Sequence, residues 1–260
     1  MTSPEVVVPA RAGSLTLLVA YTAALAAAEL LLTVSVPVAA IAFALLVIAL
    51  RFVVPAPVDS DAAIRSVLVA VPVVRLITIA APGAELPSAV RLGALAVPIL
   101  LTVLLAARDR PPDWRLVRPG PGGWRVQALV ALAGVPLALP VYLLARPAVG
   151  DPGRLPGLIV VALLVVAVIP DELLFRGLLV PAFAAVASRA AVPVAAVVYA
   201  ATFLGYASVG FASVPVIATA YGVGLALSWL RWRTGSAIGV IGARVVLVGL
   251  VCLASFVLNG

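Results

Sequence analysis

The sequence predicts an all-α fold, a polytopic transmembrane helical bundle of eight or nine spans, and three observations carry that prediction. Hydrophobic residues make up 65% of the 260 positions and charged residues only 10%, with a mean hydropathy of +1.27, which leaves too little polar surface to cover a soluble globule. The apolar residues are grouped in runs of the length that crosses a bilayer, about 20 residues. Short clusters of Pro, Gly and Arg separate the runs.

In chain order the runs read as helices over 14–33, 36–54, 64–81, 89–107, 125–145, 157–187, 192–209, 213–230 and 236–258. The first follows Arg11 and has the look of a signal peptide, but a second span begins at once, so a retained first helix is expected. The only substantial loop lies between the fourth and fifth runs, RDRPPDWRLVRPGPGGWR from Arg108 to Arg125. Five arginines, Trp114, Trp124 and a Pro/Gly stretch mark it as a cytoplasmic linker with interfacial anchors. It divides the chain into N-terminal transmembrane helices (1–107), the linker (108–125) and a transmembrane helical core (126–260). The sixth run is too long for one span, and Pro170 inside it is expected to kink or restart the helix, giving one span followed by an interfacial segment. Small residues at Gly222, Gly224, Gly235, Gly239 and Ala243 have spacings that allow close helix packing in the last two runs.

The 17 basic residues are all arginine and, against 10 acids, give a net charge of +7. They sit in loops and at helix ends rather than on a basic face, so no nucleic-acid partner is expected; the expected surroundings are lipid. With the N-terminus inside, eleven arginines fall on one side of the membrane and three on the other, the bias of a cytoplasmic N-terminus and linker. A bacterial cytoplasmic membrane is the expected location.

The chain has no histidine. That excludes a zincin site and a Ser-His-Asp triad, the absence of lysine excludes a Ser-Lys dyad, and Cys252 alone makes neither a disulfide nor a thiolate metal site. No metal and no cofactor are expected. Gly120, Gly122 and Gly123 belong to the linker, since no Walker lysine follows them.

Six charged side chains stand out at membrane depth: Glu29, Arg75, Asp171, Glu172, Arg176 and Arg244. Each costs at least a few kcal/mol at membrane depth without a partner, and three acids with three bases suit a mutually neutralised cluster. Glu29 and Arg75 are candidate buried partners that could equally snorkel to an interface. Asp171 and Glu172 follow Pro170, so they also read as an ordinary helix start. Glu172 and Arg176, four apart, can pair along one helix face. Adjacent carboxylates point about 100° apart around a helix, which argues against an aspartic-protease-like dyad.

The stretch VVAVIPDELLFRGLLVPAF, Val165 to Phe183, resembles the first signature of the CPBP family, the type II CAAX prenyl proteases and bacteriocin-processing Abi membrane proteins. That signature is EExxxR, often EExxFRG, and stands here as Asp171, Glu172, Leu173, Leu174, Phe175, Arg176 and Gly177. The segment GVGLALSWLRWRTGS, Gly222 to Ser236, is similar to the family's approach to its last motif helix. The resemblance covers about Gly157 to Leu250 and makes 126–260 a CPBP-like core. In the family the first acid of the pair is the base that activates water, and histidines from two later helices with an asparagine or aspartate complete the site. On this chain the second signature, FxxxH, falls on Phe203 to Ala207, with alanine for histidine. The third, HxxxN or HxxxD, falls on Arg244 to Val248, with arginine for histidine and valine for asparagine.

The resemblance therefore implies the scaffold of an intramembrane endopeptidase with only Glu172 and Arg176 unchanged. Replaced catalytic residues lower rates by orders of magnitude, so a pseudoenzyme is expected, a scaffold or binder of a membrane peptide or partner membrane protein. Two alternatives stand beside it: a histidine-free divergent protease using Asp171 or Glu172, and a small transporter or transporter subunit using its intramembrane acids. Arg244, a permanent cation, is expected to bridge to Asp171 or Glu172, which requires contact within about 4 Å.

Overall fold

The computed structural model describes residues 12–53, 59–81, 88–108, 120, 122–145, 157–187, 190–205 and 213–259. Among them the chain is helical and contains no strand. Its elements are α1 (Ala12–Leu31), α2 (Val36–Ile48) running on into a π-helical turn π1 (Ala49–Val53), α3 (Asp59–Ala80), α4 (Ser88–Arg108), α5 (Gly123–Leu132), α6 (Gly134–Ala145), α7 (Gly157–Glu172), the π-helical stretch π2 (Leu173–Leu179), α8 (Val180–Ala187), α9 (Ala191–Ala201), α10 (Ser213–Thr234) and α11 (Ile238–Asn259). With α5–α6 and α7–π2–α8 each continuous, these are nine helical stretches in the expected order. The linker falls largely outside the described residues.

Among the described residues, three helical stretches have the length and apolar composition to cross a membrane: Val36–Val53, Gly123–Leu143 and Val214–Thr234. Thr16–Leu31, Gly93–Arg108, Ala191–Ala201 and Ile238–Ala254 are shorter apolar helices. α2 displays Val36, Val38, Ile41, Leu45 and Ile48 on its outside, a continuous apolar face that only lipid solvates well. Trp124, Trp229 and Trp232 are exposed near helix ends, as amphipathic rings at a membrane interface are. Threonines 22, 78, 102 and 234 donate their hydroxyls to the carbonyl four residues back, so the helices carry these polar groups without exposing them to lipid.

The buried residues form two apolar clusters. One gathers α1, α2, α3, α4, π2, α8 and α9 around Phe43, Leu68, Leu178 and Phe183. The other gathers α5, α6, α10 and α11 around Val130, Leu227, Val240 and Leu247. α7 connects them by packing on α4 from one side and on α11 from the other. Glycine makes the close approaches possible: a Cβ on Gly224 would stand 3.0 Å from the Tyr199 ring and 3.4 Å from Ala196 Cα. Gly239 lies as close to Gln127, whose Oε1 accepts the Gly239 N–H at 2.9 Å. Gly222, by contrast, faces open space.

α10 ends on Gly235, whose φ of +65° lets its N–H return to the Arg231 carbonyl at 3.0 Å. An L side chain in that left-handed conformation costs about 1–2 kcal/mol. Gly235→Ala is expected to lose about that much stability in a detergent unfolding titration, whereas Gly222→Ala is expected to lose none.

The long sixth run departs from its sequence reading. α7 passes through Pro170 and runs on at Glu172 into π2, so Asp171 and Glu172 lie inside a continuous helical stretch rather than at a helix start. The segment after them is core, not interface: Leu174, Leu178, Leu179, Ala182 and Phe183 are fully buried. Proline removes one hydrogen bond, but every other backbone group in an apolar surrounding must stay paired, and helical continuation is the means available.

Candidate functional site

The π2 stretch is the element that shapes the site. Val180 returns its N–H to Phe175, five residues back, the wide turn that recurs as a local bulge in helices near functional positions. It follows directly on Glu172 and carries Arg176 at its centre. Both side chains are 0% exposed, and Arg176 Nη1 lies 3.4 Å from Glu172 Oε1. The i,i+4 pair expected from the sequence is present.

Arg244 enters from α11. Its Nε lies 3.8 Å from the same Glu172 oxygen, and its Nη2 donates to the Tyr199 hydroxyl at 2.8 Å. Tyr199 in turn lays its ring against Arg176, with the guanidinium carbon 4.1 Å from the ring centroid, and Arg244 stands 5.9 Å from the same centroid. Phe175 and Phe203 meet Tyr199 edge-on at 5.1 and 5.3 Å, holding the ring from two sides in the geometry aromatic pairs favour. A cation over an aromatic face is worth about 2 kcal/mol when desolvated. Glu172 thus sits between two guanidiniums whose positions are fixed by one tyrosine.

Asp171, on the other side of the α7 terminus, is only partly buried and makes no hydrogen bond or ion pair among the described residues. The cations that face it are Arg244, Arg176 and Arg75. The two adjacent carboxylates are therefore unequal, Glu172 fully buried in contact with two arginines and Asp171 partly buried with three arginines facing it beyond ion-pair distance, and they form no dyad.

Glu29 and Arg75 make a second pair close by. Arg75 Nε and Nη2 donate to the two Glu29 oxygens at 2.5 and 2.7 Å, a bidentate fork between α1 and α3. Glu29 is fully buried and Arg75 is 21% exposed. A Cβ on Gly205, in the second motif, would lie 3.6 Å from Glu29 Oε2, so this pair abuts the FxxxH segment.

Of the positions singled out in the sequence, Asp171, Glu172, Arg176 and Arg244 come together, with Phe203 behind Tyr199 and the Glu29–Arg75 pair alongside. Val248, one turn beyond Arg244, packs against the second apolar cluster and brings no polar group. Ala207 and Tyr206 lie outside the described residues. Two contributors were not singled out. Tyr199 precedes Phe203 by one helical turn, a spacing that could have flagged a shared face. Arg231 reads in sequence like its neighbour Arg233, yet Arg231 is 6% exposed while Arg233 is exposed beside Trp229.

No curated protein and no solved structure matches the chain. A family model does: residues 153–250 match that of the type II CAAX prenyl endopeptidase Rce1-like proteins. The matched stretch holds α7, π2, Tyr199 and Arg244, and over this C-terminal region the chain, a membrane protein by its apolar helices, is similar to the CPBP family.

Proposed function

We propose that this protein is a CPBP-family membrane scaffold without proteolytic activity, which holds a membrane peptide or a partner's transmembrane helix where its relatives hold a substrate. The observation that carries this reading is the Arg244 guanidinium against Glu172 and Tyr199. A base must have a free lone pair aimed at water, whereas two permanent cations lie against Glu172 Oε1 and its Oε2, which makes no hydrogen bond, is buried away from water. The two histidine positions of the family site stand here as Ala207 and Arg244 and its asparagine or aspartate position as Val248, so the imidazole and amide donors that would hold an oxyanion are absent. Eight or nine spans in a bacterial cytoplasmic membrane, with the N-terminus and the 108–125 linker cytoplasmic, complete the proposal.

One observation favours a second reading, histidine-free hydrolysis: Asp171 keeps a partly exposed carboxylate without a direct ion-pair partner, at the position of the family's base. A single experiment separates the two. Purified protein in nanodiscs is offered prenylated CAAX peptides and unmodified membrane peptides beside Asp171→Ala and Glu172→Ala variants. The scaffold reading expects no cleavage above the variant background. Cleavage by the parent that either substitution abolishes would establish the protease reading in its place.

A further inference from the structure

The Arg176 carbonyl has lost its helical donors. In an α-helix it would accept from the N–H of residue 180, but Val180 gives its N–H to Phe175. In the π register the next donor belongs to residue 181, which is Pro181 and has no N–H. A peptide carbonyl left without a donor in an apolar interior costs a few kcal/mol. Arg231 answers it: from the last turn of α10 its Nε donates to the Arg176 oxygen at 3.1 Å, across 55 residues of sequence.

We propose that Arg231 is a positioning residue that stands in for the missing Pro181 N–H, and so fixes the π2 turn that presents Arg176 to Glu172 and Tyr199. A π turn is a strained insertion in a helix, and without an outside donor the turn gains by relaxing toward another register. Relaxation would rotate the Arg176 side chain away from its partners. Arg231 acts through the backbone of Arg176. The assignment holds whether the site cleaves a peptide or only binds one, because it concerns the turn that both readings need.

The test follows from the cause assigned. Pro181→Ala restores an N–H at 181, and the Arg176 carbonyl can then be satisfied inside the helix in either register. Thermal unfolding in detergent is compared for Arg231→Met and Arg231→Lys, each in the parent and in the Pro181→Ala background, with Pro193→Ala in α9 as a control proline. Arg231→Met is expected to lower Tm by about 5 °C, the scale of one unsatisfied buried carbonyl. Arg231→Lys, which keeps a donor, is expected to lose less than half of that. In the Pro181→Ala background Arg231→Met is expected to lose little, and Pro193→Ala is expected to give no such relief. Should Arg231→Met fail to fold in the parent, folding of the Arg231→Met/Pro181→Ala double variant supports the assignment. An equal loss in both backgrounds, relief by Pro193→Ala as well, or a double variant that also fails to fold overturns it.

Discussion

Arg176→Met is expected to destabilise the protein by about 3–5 kcal/mol, the cost of breaking a buried ion pair by removing one partner. The arginine is 0% exposed and so is its partner Glu172, so neither can turn to water when the other is lost. After the substitution Glu172 retains only Arg244, at 3.8 Å, and the Tyr199 ring loses the cation 4.1 Å from its centroid. Methionine fills much of the same volume, so the loss reports charge rather than a cavity. Adding Glu172→Gln is expected to bring the double variant back to within about 2 kcal/mol of the parent, since replacing both members of a buried pair is often close to neutral. Unfolding in mixed micelles, run as a double-mutant cycle, reads both values. An Arg176→Met loss below about 1 kcal/mol would mean that Glu172 finds another partner and that the arginine enclosure described above does not hold the site together.

Much of this was legible in the sequence, and the reasons differ from element to element. The helical stretches were legible because lipid tolerates only paired backbone, so apolar run length maps directly to helix; 89–107 and 125–145 differ from α4 and α5–α6 by a residue or two. The acid–arginine cluster was legible because intramembrane charge is expensive and its signs balanced. The course of the sixth run was not. Pro170 is a strong local signal for a break, but burial of Leu174 to Phe183 among α1, α3 and α9 overrides it, and no sequence period announces a π turn. Tyr199 was missed because a tyrosine amid Val and Ala looks like any packed aromatic until two arginines from π2 and α11 converge on it. Arg231 and Arg233 share a last turn and a charge; only the direction of the helix face, toward π2 for one and outward for the other, tells them apart.

The Glu29–Arg75 pair is expected to respond asymmetrically to its two truncations. Arg75→Ala leaves Glu29 fully buried with its bidentate partner gone, and the expected loss is again about 3–5 kcal/mol. Glu29→Ala leaves an arginine that is already 21% exposed, on a long stem that can carry its head toward water. That arginine also faces Asp171, an acid with no direct partner, and the two can pair once Glu29 is gone. The expected loss for Glu29→Ala is therefore smaller, about 1–2 kcal/mol. The double variant is expected to cost less than the two single losses added together, with a coupling of about 2 kcal/mol between contacting residues. Unfolding titrations of the four proteins in mixed micelles give the cycle. Equal single losses that simply add would show that the fork between α1 and α3 contributes no coupled stability. The predicted order would instead show that Glu29, fully buried, depends on the fork more than Arg75 does.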